Sequence, residues 1–373
     1  MKIFIGEENS CNLNYQHNYI YGSLLKIFEL TNKVDEADII IIAETCCCTQ
    51  YHIQETIDYI SSIIEKKKGS SKIYLTGCIT RKFKEDPFLA QVEEWLKENV
   101  DFIIPQNQPN LLLKLISQNE YGDRDINNFG MLDVYSKDSA DIYIANGCQN
   151  NCSFCKTTFQ KYPLKSADLN DVKEAIDILN EGNISQVYLK ATNICQYGLD
   201  NYREYLLPEV IRYLENKENI KNVSLVGFSF KDAINNNFEE VLRDSKKITE
   251  LCGSLESGSD RLLSMIRKGF TSEEIISFVD KIRQVYFKNL RLNIISGFPT
   301  ETLDDVYRTL EVLKQLSPYA VDVCRYTNSS FVDSSQYEQL TPTEIQDHTR
   351  IYSKVLRKIN IKADIVGYGY KYN

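Results

Sequence analysis

The sequence predicts two successive α/β domains, an open parallel sheet followed by a partial (β/α)6 TIM-like barrel. Three observations carry this prediction. Short apolar runs alternate with helical stretches along nearly all of the 373 residues. Several of those runs, such as the Ala-Asp-Ile-Ile-Ile-Ile-Ala of residues 37–43, are continuous rather than alternating, as strands buried on both faces are. A polar stretch that includes Asn119-Glu120-Tyr121-Gly122-Asp123 interrupts the alternation and reads as a linker over 119–138.

In the first domain, residues 1–118, elements are expected at 2–5, 19–30, 38–43, 53–66, 72–75, 88–99 and 101–104. In the barrel core, residues 139–330, strands are expected at 141–145, 186–190, 222–226, 252–255, 290–295 and 320–324, with helical segments between them. Such units place the working face at the carboxyl ends of the strands. One helix is well marked: Thr302 caps it, Asp305 holds its third position, and Val306, Leu310, Leu313 and Leu316 follow at helical spacing. Residues 331–373 suffice for one more helix, over 342–359 with Thr341 as its cap, and a short aromatic tail, but for no further complete domain.

Composition narrows the chemistry. Against 43 Lys and Arg stand 52 Asp and Glu, a formal net charge of −9, which disfavours a non-specific polyanion binder. The first residues lack a basic region followed by an apolar signal stretch, and no run approaches membrane-spanning length, so the expectation is a cytoplasmic protein with no membrane partner. In a reducing compartment eleven cysteines argue for metal or redox chemistry over disulfides. The three histidines, at 17, 52 and 348, are not paired with cysteines as in a zinc finger, and thiolate-only ligation points to iron–sulfur clusters.

The sharpest signal is Cys148-Gln149-Asn150-Asn151-Cys152-Ser153-Phe154-Cys155, directly after an expected strand. Three thiolates on one loop hold three irons of a [4Fe–4S] cube and leave the fourth iron open for chemistry. The bland alternatives are an accidental run or a zinc knuckle short of a ligand. A second set is scattered: Cys11, Cys46 and Cys78 each follow an expected strand of the first domain. Carboxyl ends of parallel strands share one sheet edge, where these three thiols can converge on a second cube. A single cysteine is among the commonest buried residues, so it is the equivalence of the three positions that counts. The run Cys46-Cys47-Cys48 leaves the middle ligand ambiguous by residue type alone.

At this point the chain resembles the methylthiotransferase branch of the radical S-adenosylmethionine (SAM) superfamily over nearly its whole length. Ser10-Cys11-Asn12-Leu13-Asn14 stands where the branch has Gly-Cys-x-x-Asn, Glu44-Thr45-Cys46 where it has Asn-Thr-Cys, and Gly77-Cys78 matches its Gly-Cys; the match prefers Cys46 over Cys47 and Cys48. The C-x3-C-x2-C spacing agrees, as do Lys165-Ser166 for Arg-Ser, Asn193 and Tyr197-Gly198 within residues 189–198, Glu256-Ser257-Gly258-Ser259-Asp260, and Gly297-Phe298-Pro299-Thr300-Glu301-Thr302.

The resemblance implies a transferase with two [4Fe–4S] clusters, on Cys148, Cys152 and Cys155 and on Cys11, Cys46 and Cys78. SAM would serve twice, as methyl donor to a cluster-bound sulfur and as source of the radical that removes a substrate hydrogen. It further implies that Phe154 packs near the adenine and that Thr192, Glu256, Ser257 and Gly297 line the SAM pocket. Arg267 is grouped with them as a cation for Glu256, while Phe154 also reads as a loop anchor and Thr192 as a turn residue. Cys195, Cys252 and Cys324 lie outside the ligand positions and read as packing residues.

The sequence departs from the branch in having no room for the small C-terminal TRAM barrel, in Lys161-Tyr162 for a basic Arg-Gly segment, and around residues 250–256. With the acidic balance, these departures favour a peptide or protein substrate, in particular a ribosomally made precursor peptide, over a tRNA adenosine. A non-catalytic iron–sulfur scaffold or electron carrier is the third reading. An electron donor such as flavodoxin or ferredoxin is the expected protein partner.

Overall fold

The computed structural model describes residues 1–7, 28–45, 50–80, 87–104, 112, 115–116, 131–134, 138–155, 164–285, 289–328 and 332–366. The chain divides into two compact units, Met1–Ile126 and Asn127–Tyr370.

The first unit is a five-stranded parallel sheet in the order β2-β1-β3-β4-β5, built from β1 (Lys2–Glu7), β2 (Glu29–Thr31), β3 (Ile39–Glu44), β4 (Lys72–Leu75) and β5 (Phe102–Ile103). Ile40, Ile41 and Ile42 of the central strand are fully buried although successive side chains point to opposite faces. The isoleucine run therefore reports a strand covered on both sides. Helices α1 (Gln50–Lys66) and α2 (Pro87–Asn99) contribute Ile53, Ile60 and Ile63, and Val92 and Leu96, at helical spacing. Each such burial is worth about 1.5–3 kcal/mol. Of the stretch expected at 19–30, Glu29 and Leu30 belong to strand β2 and Phe28 to the bend before it; residues 19–27 lie outside the described residues.

The second unit is a nine-stranded sheet whose path runs β14-β13-β12-β11-β10-β9-β7-β6, with β8 paired to β7. Its strands are β6 (Met131–Val134), β7 (Ser139–Asn146), β8 (Lys165–Ser166), β9 (Gln186–Ala191), β10 (Asn222–Phe228), β11 (Ile248–Glu256), β12 (Asn289–Ser296), β13 (Ala320–Arg325) and β14 (Lys362–Val366). All neighbours from β7 to β14 are parallel, whereas β6 and β8 pair antiparallel with β7. Between them run α3 (Leu169–Glu181), α4 (Leu207–Glu215), α5 (Phe230–Asn235), α6 (Phe238–Asp244), α7 (Asp260–Ile266), α8 (Ser272–Val285), α9 (Leu303–Leu316) and α10 (Pro342–Lys358). Both expected caps are present, Thr302 in a capping box with Asp305 on α9 as expected, and Thr341 on α10, where Glu344 completes a second box.

Two parts of the sequence reading change. The stretch read as linker contains β6, which adds to the sheet through Leu132 opposite Ile142. The segment read as an aromatic tail contains β14, a seventh parallel strand beside β13. Its polar residues misled because Asp364 bonds Arg291 of β12 rather than facing only water.

Candidate active site

The cysteine loop leaves the end of β7 beside the ends of β9 and β10. As β7 ends, Asn146 Oδ1 accepts from Gly147 N at 2.8 Å and from Thr192 Oγ1 at 3.0 Å, which ties the carboxyl ends of β7 and β9 together. A Cβ on Gly227, whose φ is +86°, would lie 1.9 Å from Ala191 O, so only glycine lets β10 approach β9 there. Cys148 to Cys155 follow on a loop pinned from two sides: Ser153 N donates to Ile266 O at 2.9 Å, and Ser334 N to Ser153 O at 2.9 Å. Phe154 packs with Met265, Tyr326 and Tyr337 against the buried cluster of Leu262, Ile266, Ile295 and Phe298, and so anchors the loop.

All three thiols are free and half-buried. Burial pushes the Cys148 thiol up, and donation from the Asn193 amide at 3.5 Å and the Asn150 N–H at 3.3 Å draws it back. Burial pushes Cys152 up to about 11, against the opposing pull of the Lys268 ammonium. Among the described residues no three His, Cys, Asp or Glu side chains gather as for a single metal ion. A cube does not require that, since each thiolate binds a different iron.

Around the loop, Glu256 ends β11 in a left-handed conformation with φ +65° and is buried. Its partner is Lys268, Nζ to Oε1 at 3.5 Å, and not Arg267 as the sequence reading supposed. Arg267 caps α7 with φ +65°, which turns its guanidinium to Asp333. Burial pushes the Glu256 carboxyl up, and Lys268 partly offsets this. Ser257 is buried against α9, its Oγ 3.1 Å from Thr309 Oγ1. Gly297, at the end of β12 with φ +80°, donates its N–H to Glu301 Oε2 at 2.7 Å. Thr192, Glu256, Ser257 and Gly297 thus stand at the carboxyl ends of β9, β11 and β12.

Along the strands Lys190 pairs with Asp141, Arg291 pairs with Asp322 and Asp364, and Tyr319 bonds Glu250. Burial pushes the thiols of Cys252 and Cys324 up to about 11 and about 12, and Cys195 is fully buried. Sequence reasoning missed Asp232, Gln196 and Lys268. Asp232 carried the signal of a helix start, Ser229-x-x-Asp, but nothing local announces its reach to residue 150.

In the first unit, Cys11 and Cys46 lie outside the described residues. Cys78 opens a short 3-10 turn directly after β4. Thr45, the residue before Cys46, receives the N–H of Ile79 on its Oγ1 at 3.3 Å and donates to Thr76 O at 3.0 Å. A Cβ on Gly77, φ +101°, would come within 2.5 Å of that hydroxyl, which is the local reason for glycine before Cys78. The ends of β3 and β4 therefore meet at one sheet edge.

Residues 142–313 match the family model described as Radical SAM superfamily, and residues 6–96 the one described as Uncharacterized protein family UPF0004. The chain is 27% identical over 375 residues to ribosomal protein uS12 methylthiotransferase RimO of Lachnoclostridium phytofermentans, covering 96% of this chain and 81% of that protein. It is 24% identical to threonylcarbamoyladenosine tRNA methylthiotransferase MtaB of Aquifex aeolicus, covering 89% and 82%. The chain carries a Radical SAM domain and a UPF0004 domain, and it has methylthiotransferase homologues over most of its length. Its fold is like that of the radical S-adenosylmethionine methyltransferase TsrM from Kitasatospora setae, with a TM-score of 0.56 at 12% identity over 90% of this chain and 74% of that one. The chain is a transferase that uses two [4Fe–4S] clusters and SAM.

The comparisons correct the expected partner. The relatives are named for a ribosomal protein and a tRNA, so a peptide substrate favoured over tRNA is not supported. The acidic balance misled because net charge averages over the whole surface and says nothing of a local groove. No helix among the described residues is long and apolar enough to cross a membrane.

Proposed function

We propose that this methylthiotransferase replaces a C–H hydrogen with a methylthio group on a component of the translation apparatus, a ribosomal protein or a tRNA, in the cytoplasm. The observation that carries this reading is the alignment, over most of the chain, with methylthiotransferases named for those two substrates. In this reading Cys148, Cys152 and Cys155 hold the barrel cluster and Cys11, Cys46 and Cys78 the other. When bound, the clusters and SAM supply the electron, the hydrogen-abstracting radical and the methylthio group.

The chain's own residues position and shield. Thr192, Glu256, Ser257 and Gly297 line the strand ends where SAM would lie, and Phe154 anchors the cysteine loop beside them. Lys268, buried beside Glu256, opposes the negative charge that the thiolates bring to Cys152. Asp333 holds Arg267 at the rim, where the adjoining Ser334 also takes the loop's Ser153 carbonyl.

The test is anaerobic incubation with SAM and reductant, in separate reactions with small ribosomal subunits and with bulk tRNA. A mass gain corresponding to SCH3 in place of H is expected in one of the two. SAM cleavage with no such gain in either overturns the substrate assignment. Purified protein should carry about eight irons. Replacing Cys148, Cys152 and Cys155 together by Ala should leave about four and abolish SAM cleavage; a variant that still cleaves SAM refutes the ligand assignment.

A further inference from the structure

Four side chains meet behind the cysteine loop on the carboxylate of Asp232. Its Oδ2 accepts from Ser229 Oγ at 2.7 Å, Asn193 Nδ2 at 2.7 Å and Asn150 Nδ2 at 2.9 Å, and its Oδ1 accepts from Gln196 Nε2 at 3.2 Å. Burial pushes this carboxyl up, but the four donors outweigh it and hold it below the usual carboxylate range. Asp232 is thus an ionised, acceptor-only group.

Each of the three carboxamides bonded to it also touches the loop: Asn193 through the same amide nitrogen, Gln196 through its other end and Asn150 through its own backbone. Asn193 Nδ2 also donates to Cys148 Sγ at 3.5 Å. Gln196 Oε1 accepts from Gln149 N at 2.9 Å. The backbone N–H of Asn150 donates to Cys148 Sγ at 3.3 Å. The arrangement is directional. Asn193 is 2% exposed and its Oδ1 finds no partner among the described residues, an unusual cost for a buried amide. Rotating the amide by half a turn would set that oxygen against the Asp232 carboxylate and remove the donor from Cys148. An acceptor-only neighbour forbids this orientation, and a neutral amide there would not.

We propose that Asp232 is a positioning residue that locks the Asn193 amide with its N–H toward Cys148, and thereby sets the reduction potential of the cluster on this loop. Hydrogen bonds to ligand sulfur stabilise the more negative, reduced cluster and raise its potential, while a nearby carboxylate charge lowers it. The two effects have opposite signs and are carried by different residues, so they can be separated. The inference goes beyond the substrate reading and rests only on Cys148, Cys152 and Cys155 as ligands.

The experiment is an anaerobic redox titration of holoenzyme, following the part of the reduced EPR signal that SAM perturbs, for the wild type, Asn193→Ala, Asp232→Asn and the double variant. Asn193→Ala is expected to make reduction about tenfold less favourable, about 59 mV for one electron. In the Asn193→Ala background Asp232→Asn removes the charge, together with any effect carried through Asn150 and Gln196, and the loss of charge raises the potential; in the wild-type background it also unlocks the Asn193 amide, so its shift is smaller or reversed. Equal shifts in both backgrounds mean that Asp232 does not act through Asn193 and overturn the proposal, as does an Asn193→Ala potential equal to wild type. If Asp232→Asn loads too little iron to titrate, Asp232→Glu decides, since it keeps an acceptor-only carboxylate: a potential near wild type supports the lock, and one shifted as far as Asn193→Ala refutes it. A wild-type chain whose signal does not respond to SAM refutes the ligand assignment instead.

Discussion

At the residue scale, the Glu256–Lys268 pair shows how the site tolerates charge beneath its surface. Both side chains are close to nine-tenths buried, and neither is near enough to water to be neutral in energy alone. Lys268→Met should therefore destabilise the protein by about 3 kcal/mol, because it strands a buried carboxylate. Adding Glu256→Gln should recover most of that loss, and anaerobic denaturant titration of the three variants checks it. A double variant no more stable than Lys268→Met alone would mean that Lys268 acts through packing on Phe270, over whose ring it lies at 5.7 Å. Residues of this kind divide sharply in legibility. Cys148, Cys152 and Cys155 could be read from the sequence because their spacing is local. Lys268, Gln196 and Asp232 could not, because each matters through a partner 12 to 82 positions away that no periodicity connects to it.

At the element scale, local rules and long-range fit lie side by side in the β11–α7 turn. The capping boxes of α9 and α10 were legible as Thr-x-x-Asp and Thr-x-x-Glu, since a cap depends on residues within one turn. The seat of Gly258 was not. A Cβ there would come within 2.7 Å of Thr309 Cα and 2.8 Å of Val312 Cβ, while Gly258 N donates to Thr309 Oγ1 at 2.9 Å. The turn after β11 thus lies directly on α9, and nothing in Ser257-Gly258-Ser259 names that helix. Gly258→Ala should cost about 1–3 kcal/mol by overpacking. It should also weaken SAM binding, because Glu256 and Ser257 would be displaced with the turn. Equilibrium binding of SAM to reconstituted protein, beside a denaturant midpoint, checks both; a midpoint equal to wild type would mean that α9 yields without strain.

At the scale of the whole molecule, the parallel sheets were legible where strands are covered on both faces, as in the isoleucine run of β3. They were not where a strand is an edge: β6 is only four residues long beside a polar stretch, and β14 alternates polar with apolar residues over five. What makes the C-terminal segment part of the barrel is a buried contact. His348 of α10 lies 2.7 Å through Nδ1 from Glu301 Oε2, whose carboxylate also receives Gly297 N at the end of β12 and the Tyr352 hydroxyl at 3.3 Å. The bond to Glu301 raises the His348 pKa above its ordinary 6.5, burial opposes it, and Glu344 and Asp347 add to the rise. Burial likewise pushes Glu301 up against the pull of His348 and the Gly297 N–H. For a group that holds its proton more tightly folded than unfolded, the stabilisation is complete below the unfolded pKa and fades as pH climbs through the folded one. The His348 contribution is therefore full below about pH 6.5 and lost above it, with a slope of at most about 1.4 kcal/mol per pH unit for one proton. Glu301 acts in the same direction from its own ordinary value upward. Thermal unfolding of the anaerobic protein should accordingly show Tm falling from about pH 6 to about pH 8, and His348→Gln should flatten that decline while lowering Tm most at the acidic end. A variant whose Tm keeps the wild-type slope would show that the pH response arises elsewhere and that α10 is held to β12 by its apolar face alone.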